Sequence, residues 1–238
     1  MSDSILAGRG AGPVAPFAPN TRVTRALLGC GVVAGPFYVL VVLGQAAIRP
    51  GFDLARHDAS LLSNGSLGWI QVANFLLTGA MVVACAMGVH RALAGGWAST
   101  SGSLLLAIFG LGLVGAGVFV ADPMSGFPPG TAAGRPQSIT VHGILHLVSA
   151  GVGFLGFAAA CVALAQRFAR ERRGAWTWFS RAAGLVFLAG FAGLASGSSS
   201  PVVVLAFWAA LLVAWGWLGS VSVHLYRHPR ELPVGEVS

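Results

Sequence analysis

Six stretches of this chain are apolar for about 20 residues or more, at about 26–48, 67–90, 101–121, 139–166, 178–197 and 201–224. A helix of that length spans the roughly 30 Å hydrocarbon core of a bilayer. In lipid each backbone polar group must be satisfied inside the protein, and a continuous apolar run does so as a helix. The expected fold is therefore an all-α integral membrane protein, a bundle of six transmembrane helices. Composition agrees: 55% of the 238 residues are hydrophobic and 9% charged, against about 25% charged in soluble domains. A soluble globular enzyme and a disordered chain are excluded. The excess of 14 Lys+Arg over 7 Asp+Glu is too sparse and too segregated for a phosphate-tracking patch, so no nucleic acid is expected as a partner. The partner is a lipid bilayer.

The first stretch is too long for a cleaved signal peptide and follows about 25 other residues. Residues 1–25, rich in Gly, Ala and Pro, read as a disordered tail. Residues 26–225 form the transmembrane domain and 226–238 a second tail. Six crossings leave both termini on one face, and arginine shows which. All 14 basic residues are arginines. Arg9, Arg22, Arg25, Arg91, Arg167, Arg170, Arg172, Arg173, Arg181, Arg227 and Arg230 fall on the face of the termini; Arg49, Arg56 and Arg135 fall on the other. The positive-inside rule makes the richer face cytoplasmic, so the protein is expected in the cell membrane as a multi-pass protein with both tails inside. Trp97, Trp176, Trp178 and Tyr226 suit the inner interface, and Trp69 the outer one. Cys30, Cys85 and Cys161 lie within spans and read as small packing residues rather than a disulfide framework. Small residues four apart, Gly31/Gly35, Gly112/Ala116, Ala189/Gly193 and Gly193/Gly197, are expected where helices approach closely. Pro201 is placed to open the last helix, with a serine capping it.

Hydrogen-bonding residues gather at the outer ends. In the first outer connection, 49–65, Asp53 is expected to cap a short helix bearing Leu54, Leu61 and Leu62, and Asn64-Gly65 to turn the chain. The third connection, beginning Asp122-Pro123 and containing Gly126, Pro128, Pro129 and Gly130, is expected to be ordered but not helical. Within the spans, Gln71, Asn74 and Thr78 share one face of the second helix, and His142, His146 and Ser149 one face of the fourth. Gln45 lies at the outer end of the first. The inner halves hold almost no such side chain. Polar groups in spans face a bundle interior or a watery cavity, so the pattern describes a pocket open to the outside and blind toward the cytoplasm.

Helix dipoles refine the chemistry. His142 falls in a first turn, where the positive end favours neutral imidazole. Asp122 falls in the last turn of the third helix and should seek a cation: Arg56, Arg135, a protonated His57 or a metal. His142 and His146, four apart, can share one divalent metal such as zinc, with Asp122 or His57 as a third ligand. Such an ion would activate water against a lipid or small ester. Without metal the same three residues serve as acid/base groups, or the histidines bond Gln71, Asn74 and loop carbonyls and hold the bundle together. Gln71 and Asn74, with His57 and Trp69 at the mouth, would orient a substrate, and Arg56 would take an anionic group. The alternative for Arg49, Arg56 and Arg135 is snorkelling toward headgroups. Arg56, His57, Asp58 and Ser60 are too close in sequence for a nucleophile-base-orienter triad.

These pieces resemble a known family. Arg49-Pro50-Gly51-Phe52-Asp53, Ser60 to Ser63 with Gly65, Gly68-Trp69 with Gln71 and Asn74-Phe75, Asp122-Pro123 with Gly126 and Pro128, and His142-Gly143 with His146 are together similar to the multi-pass membrane family called domain of unknown function 998. The resemblance covers about 25–225. It implies a six-helix bundle and treats the outer motifs as a unit, and it assigns no catalysis. The leading expectation is a site that binds or modifies a lipid or small amphipathic molecule, with or without the metal assistance described above. The alternatives are a small-molecule transporter, which needs a polar route across the whole bilayer, and a structural or accessory subunit.

Overall fold

The computed structural model describes residues 19–93, 97–134, 136, 138–198 and 200–228. Within them the elements are α1 (Pro19–Ile48), a short 3-10 turn (Ala59–Ser63), α2 (Gly68–Leu93), α3 (Trp97–Val118), α4 (Val141–Arg170), α5 (Gly174–Ala195) and α6 (Pro201–Arg227). All six α-helices are long and apolar enough to cross a membrane. Each packs on its neighbour in sequence, α6 closes on α1, and α2 also touches α6. The result is a ring of six helices. Its outside carries large apolar side chains, among them Leu40, Leu111, Leu147, Leu185 and Val202, each more than half exposed. So much apolar surface on a folded chain matches lipid rather than water.

The inside of the ring is filled by aromatic rings. Phe157 meets Phe187 at 4.8 Å, Phe109 at 5.1 Å and Trp217 at 5.3 Å between centroids, all edge-on. Edge-to-face packing sets the positive rim of one ring against the negative face of the next. The Trp217 indole N–H donates to Ser180 Oγ at 2.9 Å, tying α6 to α5.

Glycine permits the closest helix contacts. A β-carbon on Gly79 would lie 2.6 Å from the Gly110 carbonyl oxygen, and one on Gly110 would lie 2.8 Å from that of Gly79. α2 and α3 therefore meet backbone to backbone at a pair that four-residue spacing does not pick out. Gly31, Gly35 and Gly112 do pack as expected, against Cys85 and Ser222, Trp215, and Gly153 respectively. Gly197 does not: it follows the end of α5 at φ +72°, in the turn toward α6. Pro201 opens α6, with Ser200 at the capping position but making no side-chain cap bond.

Every helix runs further than expected at its arginine-bearing end. α1 begins at Pro19 rather than about 26, so Arg22 and Arg25 lie on the helix, not in a tail. α4 continues to Arg170 and α5 begins at Gly174. Apolar content marks where lipid ends; Arg, Gln and Ala are good helix formers and carry the helix on into the interface. At the other end α1 and α6 keep their expected bounds, at Ile48 and Pro201, while α3 and α4 stop short. α3 ends at Val118, before Asp122-Pro123, and α4 starts only at Val141.

Candidate functional site

At the loop end the two long connections fold over the ring as a roof, pinned by two buried polar side chains. Arg49 follows the last residue of α1 and is 7% exposed. Its Nη1 donates to the Leu62 carbonyl at 2.8 Å, its Nη2 donates to the Asn64 carbonyl, and its guanidinium lies 5.0 Å from the centre of the Phe127 ring. The guanidinium does not snorkel. Burial pulls its pKa below the ordinary arginine value, yet two carbonyls and a ring face stabilise the charge.

His57 is the second pin, 2% exposed. Its Nδ1 accepts the Asp53 backbone N–H at 2.9 Å, which leaves the ring proton on Nε2, 3.0 Å from the Ser125 carbonyl of the other connection. The Trp208 indole N–H of α6 reaches the His57 carbonyl at 3.2 Å. Phe127, wholly buried, fits between Phe52 and His57. The cap of the short turn is Asp58, which accepts the Ser60 N–H at 2.8 Å, and not Asp53. Asp53 instead bends the chain ahead of it, accepting the Ala55 N–H at 2.8 Å, the behaviour that lets aspartate mimic a backbone turn. The third connection is ordered and non-helical as expected, with Ser125 N–H to Gly134 O at 2.7 Å and Gly126 N–H to Ala132 O at 3.1 Å.

α3 and α4 close on each other reciprocally. Asp122 accepts from the Thr140 backbone N–H at 2.9 Å and from its hydroxyl at 2.6 Å, while Thr140 Oγ1 accepts the Gly143 N–H at 3.0 Å. The carboxylate thus finds the positive end of α4 rather than a cation. In return His146 of α4 donates from Nδ1 to the Ala116 and Phe119 carbonyls, at 3.0 and 2.8 Å, satisfying the end of α3. His146 is 3% exposed, and its Nε2 has no hydrogen-bond partner among the described residues. His142 points away: it is exposed, with its ring 5.9 Å from that of Phe119. Among the described residues no three His, Cys, Asp or Glu side chains come together to hold a metal ion. The arrangement of His142, His146 and Asp122 around one zinc is not formed, because adjacent turns aim the two imidazoles differently and Asp122 is engaged by Thr140.

Gln71 and Asn74 are fully buried but do not reach a ligand site. Gln45 Nε2 donates to Gln71 Oε1 at 2.8 Å, Asn74 Nδ2 donates to the Tyr38 carbonyl and to Gln71 Oε1, each at 3.2 Å, and Thr78 donates to Asn74 Oδ1 at 3.2 Å. This seam joins α1 to α2 beside Tyr38, with Gln71 Nε2 left buried and without a hydrogen-bond partner among the described residues.

Tyr38 faces a cavity of about 490 Å³ beneath the roof. Tyr38, Asp58, Ser60, Asp122 and His146 supply its polar wall; Phe154, Phe191, Leu194, Phe207 and Leu211 supply its apolar one. α2 and α4 contribute Phe75 and His146 to it, so a cavity lies at the loop end of those helices, with Phe75 rather than Gln71 or Asn74 facing it from α2. Arg56 and Trp69 are exposed and form no part of its wall; Arg135 lies outside the described residues. Sequence reasoning passed over Tyr38 as a site residue, although one tyrosine inside the apolar first span is itself a signal.

A family model described as "Protein of unknown function (DUF998)" matches residues 32–224. No curated protein and no solved structure matches the chain.

Proposed function

The chain belongs to the DUF998 family, and on the geometry of its outer cavity we propose that it binds a lipid or small amphipathic molecule there. The observation that carries the reading is a cavity of about 490 Å³ lined by five polar side chains together with aromatic and aliphatic ones. A volume of that size suits a small ligand. The polar wall lies under the roof, and the aromatic filling around Phe157 and Trp215 stands between it and the other end of the ring. That supports a blind site over a transport route. His146 is the principal contact: with Nδ1 held by carbonyls, Nε2 offers a lone pair to a ligand hydroxyl or ammonium. The test is native mass spectrometry of copurifying molecules. Ala150→Phe, which fills the cavity from α4, should remove a bound species that wild type retains, and His146→Ala should weaken it. Identical occupancy in all three sinks the proposal.

The same free Nε2 supports a second reading, in which His146 takes a proton from water or a bound hydroxyl. Release of fatty acid from monoacyl esters, lost in His146→Gln, would support it.

The arginine asymmetry supports placing the roof outside the cell membrane and both termini in the cytoplasm. An impermeant maleimide should label Arg56→Cys in intact cells and Arg172→Cys only after lysis. The reverse pattern inverts the topology and leaves the cavity argument standing.

A further inference from the structure

A second concavity lies at the opposite end, on the outside of the ring, where α1 and α6 diverge to leave a groove of about 680 Å³. Val32, Pro36 and Val39 form one bank and Gly216, Gly219 and Val223 the other. Gly216 and Gly219 differ from the packing glycines: a β-carbon on either would meet nothing within 4 Å. They bring no helices together; their effect is to keep the trough deep. Trp215 borders the groove, and its buried Nε1 has no hydrogen-bond partner among the described residues.

The groove ends in basic side chains. Arg227 and His228 line it, beside His224 and Trp176. His224 Nε2 accepts from Arg173 Nη1, and the His224 ring lies 4.6 Å from Trp176 and 5.2 Å from His228. No carboxylate lines the groove among the described residues. The nearby Glu171 is held by Arg167 at 3.0 Å and Arg173 at 3.5 Å. From Gly216 to Arg227 a helix rises about 16 Å, close to half the roughly 30 Å hydrocarbon core.

We propose that this groove holds one anionic phospholipid, its phosphate on Arg227 and His228 and one acyl chain along Gly219 and Gly216. An apolar trough one leaflet deep, open to lipid and ending in basic side chains, matches a diacyl lipid; a free phosphate would use only its mouth. This site is independent of the outer cavity, and neither proposal stands or falls with the other.

The test is native mass spectrometry of the full chain released from micelles doped with phosphatidylglycerol or phosphatidylcholine of equal chain length. Wild type should retain phosphatidylglycerol at least fivefold better. Arg227→Gln/His228→Gln should erase that preference, and Gly219→Leu, which enters open space, should lower retention of the lipid itself. Arg170→Gln/Arg172→Gln, exposed on the same end, should change nothing. Equal retention of the two lipids overturns the proposal, as does equal loss in the Arg170/Arg172 variant, which would mark general surface charge. Competition by glycerol phosphate as effective as by the lipid also overturns it, as does a dimer in wild type that Gly219→Leu dissolves.

Discussion

The two ends of the ring solve the problem of polar groups beside a membrane in opposite ways. At the loop end charges are few, and those drawn into the fold are answered by nearby chain: buried Arg49 by the Leu62 and Asn64 carbonyls, half-buried Asp122 by the Thr140 amide and hydroxyl, half-buried Asp58 by the Ser60 amide. No ion pair forms there among the described residues; the two found lie around Glu171 at the other end. At that end arginines are many and mostly reach outward, with Arg181 over Trp178 at 5.0 Å and Arg25 over Tyr226 at 5.6 Å. Backbone partners impose one geometry, whereas ion pairs between long side chains and ring contacts tolerate several. The loop end should therefore be brittle and the arginine end forgiving.

Substitutions can break that comparison, and thermal unfolding of the purified protein in one detergent measures each. The largest effect is expected for Arg49→Met, which leaves two buried carbonyls unpaired at about 1–3 kcal/mol each. Lysine should rescue little, because a point charge cannot serve both carbonyls in the fork geometry. His57→Ala comes next, at about 2 kcal/mol, for the lost bonds to Asp53 and Ser125. Asp122→Ala releases Thr140, the residue that caps α4, and should cost about 1 kcal/mol. At the other end Arg170→Gln should stay within about 0.5 kcal/mol of wild type. Arg172→Gly should even stabilise. Arg172 sits at φ +56° just past α4, with the Arg172 N–H on Ala169 O at 3.0 Å and the Arg173 N–H on Phe168 O at 2.8 Å. Glycine takes that left-handed position without the steric cost of a β-carbon, a gain of up to about 1 kcal/mol. A loop-end variant as mild as Arg170→Gln, or a cost at Arg172→Gly, would undo the distinction.

The architecture was legible because hydrophobic length is a strong, local signal: six apolar runs became six helices. Their ends were less so. Apolar content locates lipid, and helix propensity takes Arg22 and Arg170 beyond it. The cavity at the loop end was legible as a region, since Gln71, Asn74 and His146 cluster where polar side chains are costly. Which of them faces a ligand was not. Gln71 and Asn74 turn toward α1, and only the packing of Tyr38 across the interface decides that. Asp122 and His146 lie at the same end of the bundle, and their hydrogen bonds go to Thr140 and to the Ala116 and Phe119 carbonyls rather than to each other. Helix periodicity says that they share an end of the bundle, but not that each terminates the other's helix. Arg49 reads as a snorkelling residue until 13 residues of chain fold back to bring Leu62 O to it.

That mutual termination has a mechanical side. Sliding α3 along α4 breaks the Asp122 cap and the His146 bonds together, and Gly112 against Gly153 leaves no slack between the backbones. The hairpin is an anvil. α5, by contrast, has only 22% of its membrane window buried, the smallest share of the six, and its bond to α6 is at Ser180, far from the cavity. Nearer the cavity α5 is held by ring contact and close approach, Phe191 lying 5.1 Å from Phe154 of α4 and a β-carbon on Gly190 falling 2.7 Å from that of Ala210. The cavity is thus walled on one side by the rigid α3–α4 pair and on another by the helix that leaves most of its own surface to lipid.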